Sequence, residues 1–135
     1  FFPLTDCHKH AFYAFRNYHR LKTGAMLQAA AELGCVAAGA DDGLRQRARD
    51  YGCHIGLAFQ VRDDVLDVVA DQGELGKPIG SDRAEGKRTF VDLLGLEACQ
   101  ALVAEETAKA KAALADLPDS GFLLNLADHL AERRK

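Results

Sequence analysis

Between Ile55 and Val69 the chain is apolar on nearly every face a helix could present, yet Gln60, Asp63, Asp64 and Asp67 sit in its middle. A helix turns about 100° per residue, so side chains three and four apart share a face. Asp63 and Asp67 are one turn apart, and Gln60 lies one turn before Asp63 and Asp64. Together they form one polar stripe, flanked by Ala58, Phe59, Val61, Val65, Leu66, Val68 and Val69. A helix that is apolar all round belongs inside a larger bundle. Carboxylates placed there repel one another and lose hydration, which costs several kcal/mol per uncompensated ion. The stripe is therefore either a solvated acidic face or the site of a cation. The apolar flanks weigh against the solvated face without deciding between the two. All-oxygen ligation suits Mg²⁺, which keeps waters and is often completed by substrate phosphates.

The rest of the chain reads as helix. Proline occurs only at 3, 78 and 118, and alanine, leucine and charged residues dominate, a composition that favours helices. Leu21, Met26, Leu27, Ala30, Leu33 and Val36 recur at helical steps and predict a helix over 18–39. Asp41-Asp42 provide an N-cap and first turn for a second helix over 42–70. Residues 71–88 form a Gly-rich, charged loop, long enough to be functional or disordered. Helices follow at 89–94, 96–116 and 119–132, the second of these ended by Leu117-Pro118 and the last followed by Arg133-Arg134-Lys135. No strand signal or internal repeat is present, so the expected fold is all-α. Residues 1–17 are rich in aromatics and His, with poor periodicity, and remain unassigned.

Composition narrows the partners. The net charge of −3 gives no basic excess for nucleic acid. No run of 18 apolar residues suggests a membrane span, and the first residues do not read as a signal peptide. The four cysteines lack CxxC spacing. Cys35, Cys53 and Cys99 read as small buried hydrophobes, and reduced cysteines fit the cytoplasm. Cys7-His8-Lys9-His10 has no second cluster to complete a four-ligand site.

A metal-bound diphosphate also needs cations on its anionic side. Lys22-Thr23 precedes the acidic helix, and Lys77 and Lys87 lie in the loop after it, placed to return over the carboxylates. Leu21-Lys22-Thr23-Gly24-Ala25, then Gly56 to Asp67, then Leu75-Gly76-Lys77-Pro78-Ile79-Gly80-Ser81-Asp82, then Gly86-Lys87-Arg88-Thr89 and Leu93-Leu94-Gly95-Leu96-Glu97 follow in order. In this order and spacing the chain, from about His19 onward, resembles the second half of the trans-isoprenyl diphosphate synthases, the farnesyl and geranylgeranyl type. The FQ-x-x-DD-x-x-D element between KT and the glycine-lysine loop is specific to that resemblance.

The resemblance implies the C-terminal half of the isoprenoid synthase helical bundle, over 18–135. It implies a prenyltransferase that condenses an allylic diphosphate with isopentenyl diphosphate, with Mg²⁺ as cofactor. Asp63 would be a Mg²⁺ ligand, and Asp64 and Asp67 would complete the motif directly or through water. Lys22 and Lys77 would contact the allylic diphosphate, and Lys87 would sit in a closing loop. Thr23 and Gln60 would lie beside the reacting carbons. The basic run at 133–135 would close over the isopentenyl diphosphate site.

The family carries two aspartate-rich motifs on facing helices, and this sequence shows one. Asp41-Asp42-Gly43-Leu44-Arg45 lacks a third Asp and sits at a helix start. The expectation is a fragment, inactive alone, whose other half is separate, with homodimerisation as in the family. A truncated reading frame and a non-catalytic helical subunit that associates with a full-length synthase are the alternatives. A terpene cyclase shares the architecture, but its Asn/Asp-x-x-Ser/Thr-x-x-x-Glu motif does not stand at the matching place.

Overall fold

The computed structural model describes residues 6–73 and 88–134. All regular structure among them is helical: α1 (Asp6–His19), a π-helical turn (Arg20–Gly24), α2 (Ala25–Ala37), α3 (Asp42–Gly73), α4 (Phe90–Leu94), α5 (Leu96–Ala113) and α6 (Gly121–Glu132). The expected helix over 18–39 is thus two helices joined by a π turn, and most of the unassigned N-terminal segment is helical. Lys77, Lys87 and nearly all of the expected loop lie outside the described residues.

Helix α3 is the centre. Its N-terminus is closed by Asp41, whose Oδ1 accepts the Leu44 N–H at 2.8 Å, so one orphan donor of the first turn is satisfied. One stretch of α3 places Leu57, Val61 and Val65 against Phe90, Cys99 and Val103. The other places Tyr51 and Ile55 against Ala110, Leu114 and Ala127. Phe12 and Phe15 of α1 cover the first cluster. The Phe15 ring meets Phe90 edge-on at 4.7 Å, a favoured aromatic arrangement.

Helix α5 ends three residues before the expected 116. Asp116 there takes a positive φ of 63°, and Arg47 donates to the Ala113 carbonyl at 2.8 Å and to that of Ala115. A basic side chain thus satisfies carbonyls that a helix end leaves open. Just before α5, α4 carries a full capping box between Thr89 and Asp92. Cys99 is fully buried, while Cys35 and Cys53 are only half-buried because α2 and the outer side of α3 face solvent.

Helices α2 and α3 approach closely because glycines line the seam. A Cβ on Gly56 would stand 2.8 Å from the Gly24 Cα, and one on Gly52 equally close to the Gln28 backbone. Gly34 has open space around it. Gly56→Ala is therefore expected to force the helices apart and cost about 2 kcal/mol or more. Gly34→Ala should be neutral or gain up to about 1 kcal/mol from helix propensity. Thermal unfolding of the two variants side by side checks this; equal melting temperatures would remove the tight seam from the account.

The outer side of the π turn and α2 leaves Leu21, Met26 and Leu33 more than two-thirds exposed. Apolar residues grouped in this way mark a face that packs against something.

Candidate functional site

The Gly24–Gly56 approach brings the π turn onto the middle of α3. A π turn widens a helix by one residue per turn and is found mostly where function demands it. Here it carries Lys22 and Thr23. The half-buried Thr23 hydroxyl donates to Gln60 Oε1 at 3.4 Å. Residues expected to act together, 37 positions apart, are thus adjacent. Lys22 is exposed, with its Nζ 6.0 Å from the Tyr18 ring centre.

His19, four residues before Thr23, has its side chain close to that of Gln60. Burial, then the Lys22 charge, lower the His19 pKa, so the ring is neutral near pH 7. It packs edge-on to Phe15 at 4.4 Å and lies 5.4 Å from Phe90. The sequence reading did not single out His19, although its spacing to Thr23 places the two on one helix face.

The carboxylates divide. Asp64 is buried at 8% exposure, and its Oδ2 accepts the Phe90 N–H at 2.8 Å. Burial pushes its pKa up to about 6, against the opposing hydrogen bonds of Phe90 and Gln60; the charges of Asp67 and Asp63 add to the rise. Asp64 thus faces inward and anchors the start of α4. Asp63 is half-exposed and Asp67 exposed, one turn apart on the open side. Those two are the carboxylates of the trio positioned to meet a ligand from solution. Among the described residues no cluster of three or more His, Cys, Asp or Glu side chains forms a closed metal cage. A pair of solvent-facing hard oxygen donors one turn apart still fits Mg²⁺, which takes few protein ligands and completes its shell with water and phosphate.

Asp63 has a partner from the far end of the chain. Arg133, just after α6, places a guanidinium nitrogen on Asp63 Oδ1 and lies over the Phe59 ring at 4.1 Å. The basic run, expected over an isopentenyl diphosphate site, thus sends its first member to the aspartate stripe. Among the described residues no helix is long and apolar enough to cross a membrane.

Comparison with known proteins places this geometry. The sequence model of the family described as Polyprenyl synthetase matches residues 4–118. The farnesyl diphosphate synthase of Escherichia coli is 42% identical over 128 residues, covering 90% of this chain and 42% of that protein. In structure, a polyprenyl synthase from Roseobacter denitrificans superimposes with a TM-score of 0.70 at 30% identity, over 90% of this chain and 52% of its own. A decaprenyl diphosphate synthase from Rhodobacter capsulatus does so with the same score and identity, over 89% and 50%. The chain therefore spans about half the length, or less, of the relatives it matches.

Proposed function

This chain belongs to the polyprenyl synthetase family, and we propose that it forms the second aspartate-rich part of a synthase that condenses an allylic diphosphate with isopentenyl diphosphate. The observation that carries this reading is the Thr23–Gln60 pair seated on the same stretch of α3 as the solvent-facing Asp63 and Asp67. A solvated acidic face has no use for a threonine–glutamine dipole pair docked beside it across a glycine seam.

Asp63 and Asp67 would hold Mg²⁺. Bound Mg²⁺ would supply neutralisation of the leaving diphosphate. Lys22, exposed at the π turn, is a cation for the same diphosphate, and the family resemblance implies Lys77 and Lys87 for it as well. When the allylic C–O bond breaks, the carbon left behind is cationic. The Thr23 and Gln60 oxygens are fixed dipoles that stabilise such a charge without reorganising. The double bond of isopentenyl diphosphate then attacks the cation, the new C–C bond forms, and a proton leaves to regenerate an alkene. The departing diphosphate is the nearest base for that proton. Asp64 takes no part as a ligand in this scheme; it fixes the start of α4 through the Phe90 N–H.

The exposed Leu21–Met26–Leu33 face is where the remainder of a full synthase, with the first aspartate-rich motif, would pack. Homodimerisation and a cytoplasmic site of action complete the proposal, on family likeness and the free cysteines. The test is turnover of labelled isopentenyl diphosphate with dimethylallyl or geranyl diphosphate and Mg²⁺ by the full-length protein containing this chain. Elongation should occur, stop with a chelator, and fall on the order of 100-fold in Asp63→Asn. Failure to elongate any allylic diphosphate would sink the reading.

A further inference from the structure

The segment after α6 is held on α3 from three directions. The Arg133 carbonyl accepts from Arg62 Nε at 3.1 Å and Nη2 at 2.8 Å. Its guanidinium lies over Phe59 at 4.1 Å. One Nη2 donates to the Phe59 carbonyl at 3.3 Å and to Asp63 Oδ1. Phe59, Arg62 and Asp63 fall within about one turn of α3, so backbone, ring and carboxylate together form a seat for one arginine. Its side chain is 18% exposed against 39% for Asp63, so the pair is sheltered from full solvent screening.

We propose that Arg133 is a resident counter-ion of the aspartate stripe, one that holds the Asp63 carboxylate oriented in the cation-free protein and that a divalent cation must displace to bind there. This rests on the metal reading of Asp63 given above. A carboxylate oxygen engaged by a guanidinium is not open to a metal, and two cations crowded on one carboxylate repel. The divalent ion carries the larger charge and wins the exchange when it arrives with its phosphate ligands. Metal binding and release of the segment after α6 are then the same event.

The exchange is tested on the full-length protein by titrating Mn²⁺ in the presence of inorganic pyrophosphate, read by calorimetry or by Mn²⁺ electron paramagnetic resonance. Arg133→Gln removes the competitor and should bind Mn²⁺ about fivefold tighter, the size of a modest ion pair. Arg134→Gln removes the same charge from an exposed neighbour and should stay within about twofold. Trypsin should cut the Arg133–Arg134 bond faster once Mn²⁺ and pyrophosphate are present, because the guanidinium has left its seat. Unchanged or weaker Mn²⁺ binding by Arg133→Gln would overturn the proposal, as would equal tightening by both variants, which would show a diffuse charge effect. Asp63→Asn separates the two levels. If it binds Mn²⁺ as well as the unaltered protein, the metal reading falls and the proposal falls with it. If it loses Mn²⁺ while Arg133→Gln shows no gain, only the proposal falls.

Discussion

Replacing Glu106 by alanine should lower the unfolding free energy by about 3–5 kcal/mol, the range for removing one partner of a buried ion cluster. Glu106 is 1% exposed. Its Oε2 accepts from His54 Nδ1 at 2.6 Å, and its Oε1 lies 3.3 Å from Lys109 and 3.8 Å from an Arg16 nitrogen. Helices α1, α3 and α5 therefore meet on one carboxylate. Burial by itself would raise the Glu106 pKa; the hydrogen bond and charge of His54, followed by Lys109, outweigh it, and the pKa falls below the ordinary 4.5. The sign follows from that direction. A depressed folded-state value means stability that is present above pH 4.5 and lost as pH falls through the folded value. Glu106→Ala and the unaltered protein should thus differ most near neutrality and converge in acid. Glu106→Gln, which keeps shape and one acceptor, should lose less than alanine. Urea unfolding at several pH values measures all of this. A loss under about 1 kcal/mol at pH 7 would show that the cluster is not a junction of the fold, since that is the worth of an ordinary surface pair.

The helical fold was legible because its signals are local. The steps of Leu27, Ala30 and Leu33, the Asp41 cap and the apolar run around Val61 and Val65 all act within one element. Residues 6–19 were not legible for an equally physical reason. Phe12, Phe15 and His19 do form a half-buried stripe, but Tyr13 and Tyr18 are aromatic and more than half exposed, so the apolar period is blurred. The π turn leaves no mark in composition, because it arises from fitting Gly24 against Gly56. The pairing of Thr23 with Gln60 was legible as a motif, yet the division of the carboxylates was not. Which of two adjacent aspartates turns inward depends on where the Phe90 amide docks, 26 residues away in sequence. The seat of Arg133 depends on the path of α6, a tertiary fact that a basic run does not encode.

That division of the carboxylates predicts an unusual gain. Asp64→Asn should stabilise the metal-free protein at pH 7 by roughly 1–3 kcal/mol, whereas most buried polar substitutions destabilise. The Asp64 pKa stands at about 6 rather than the ordinary 3.8, chiefly through burial. For an acid whose folded value is raised, the neutral form is the one the fold favours. Stability is therefore fullest below pH 3.8 and declines as pH rises from there to about 6, where the loss levels off. A shift of this size corresponds to about 3 kcal/mol forfeited at neutral pH. Asparagine keeps an oxygen to accept the Phe90 N–H but carries no charge to desolvate. Asp64→Ala, by contrast, leaves that buried N–H without its partner and forfeits about 1–3 kcal/mol. The comparison is made with a chelator present, by thermal unfolding from pH 4 to pH 7.5. The advantage of Asp64→Asn should be small at pH 4 and grow until about pH 6.5. An advantage that is the same at both ends, or a loss at pH 7, would mean that Asp64 is ionised at little cost.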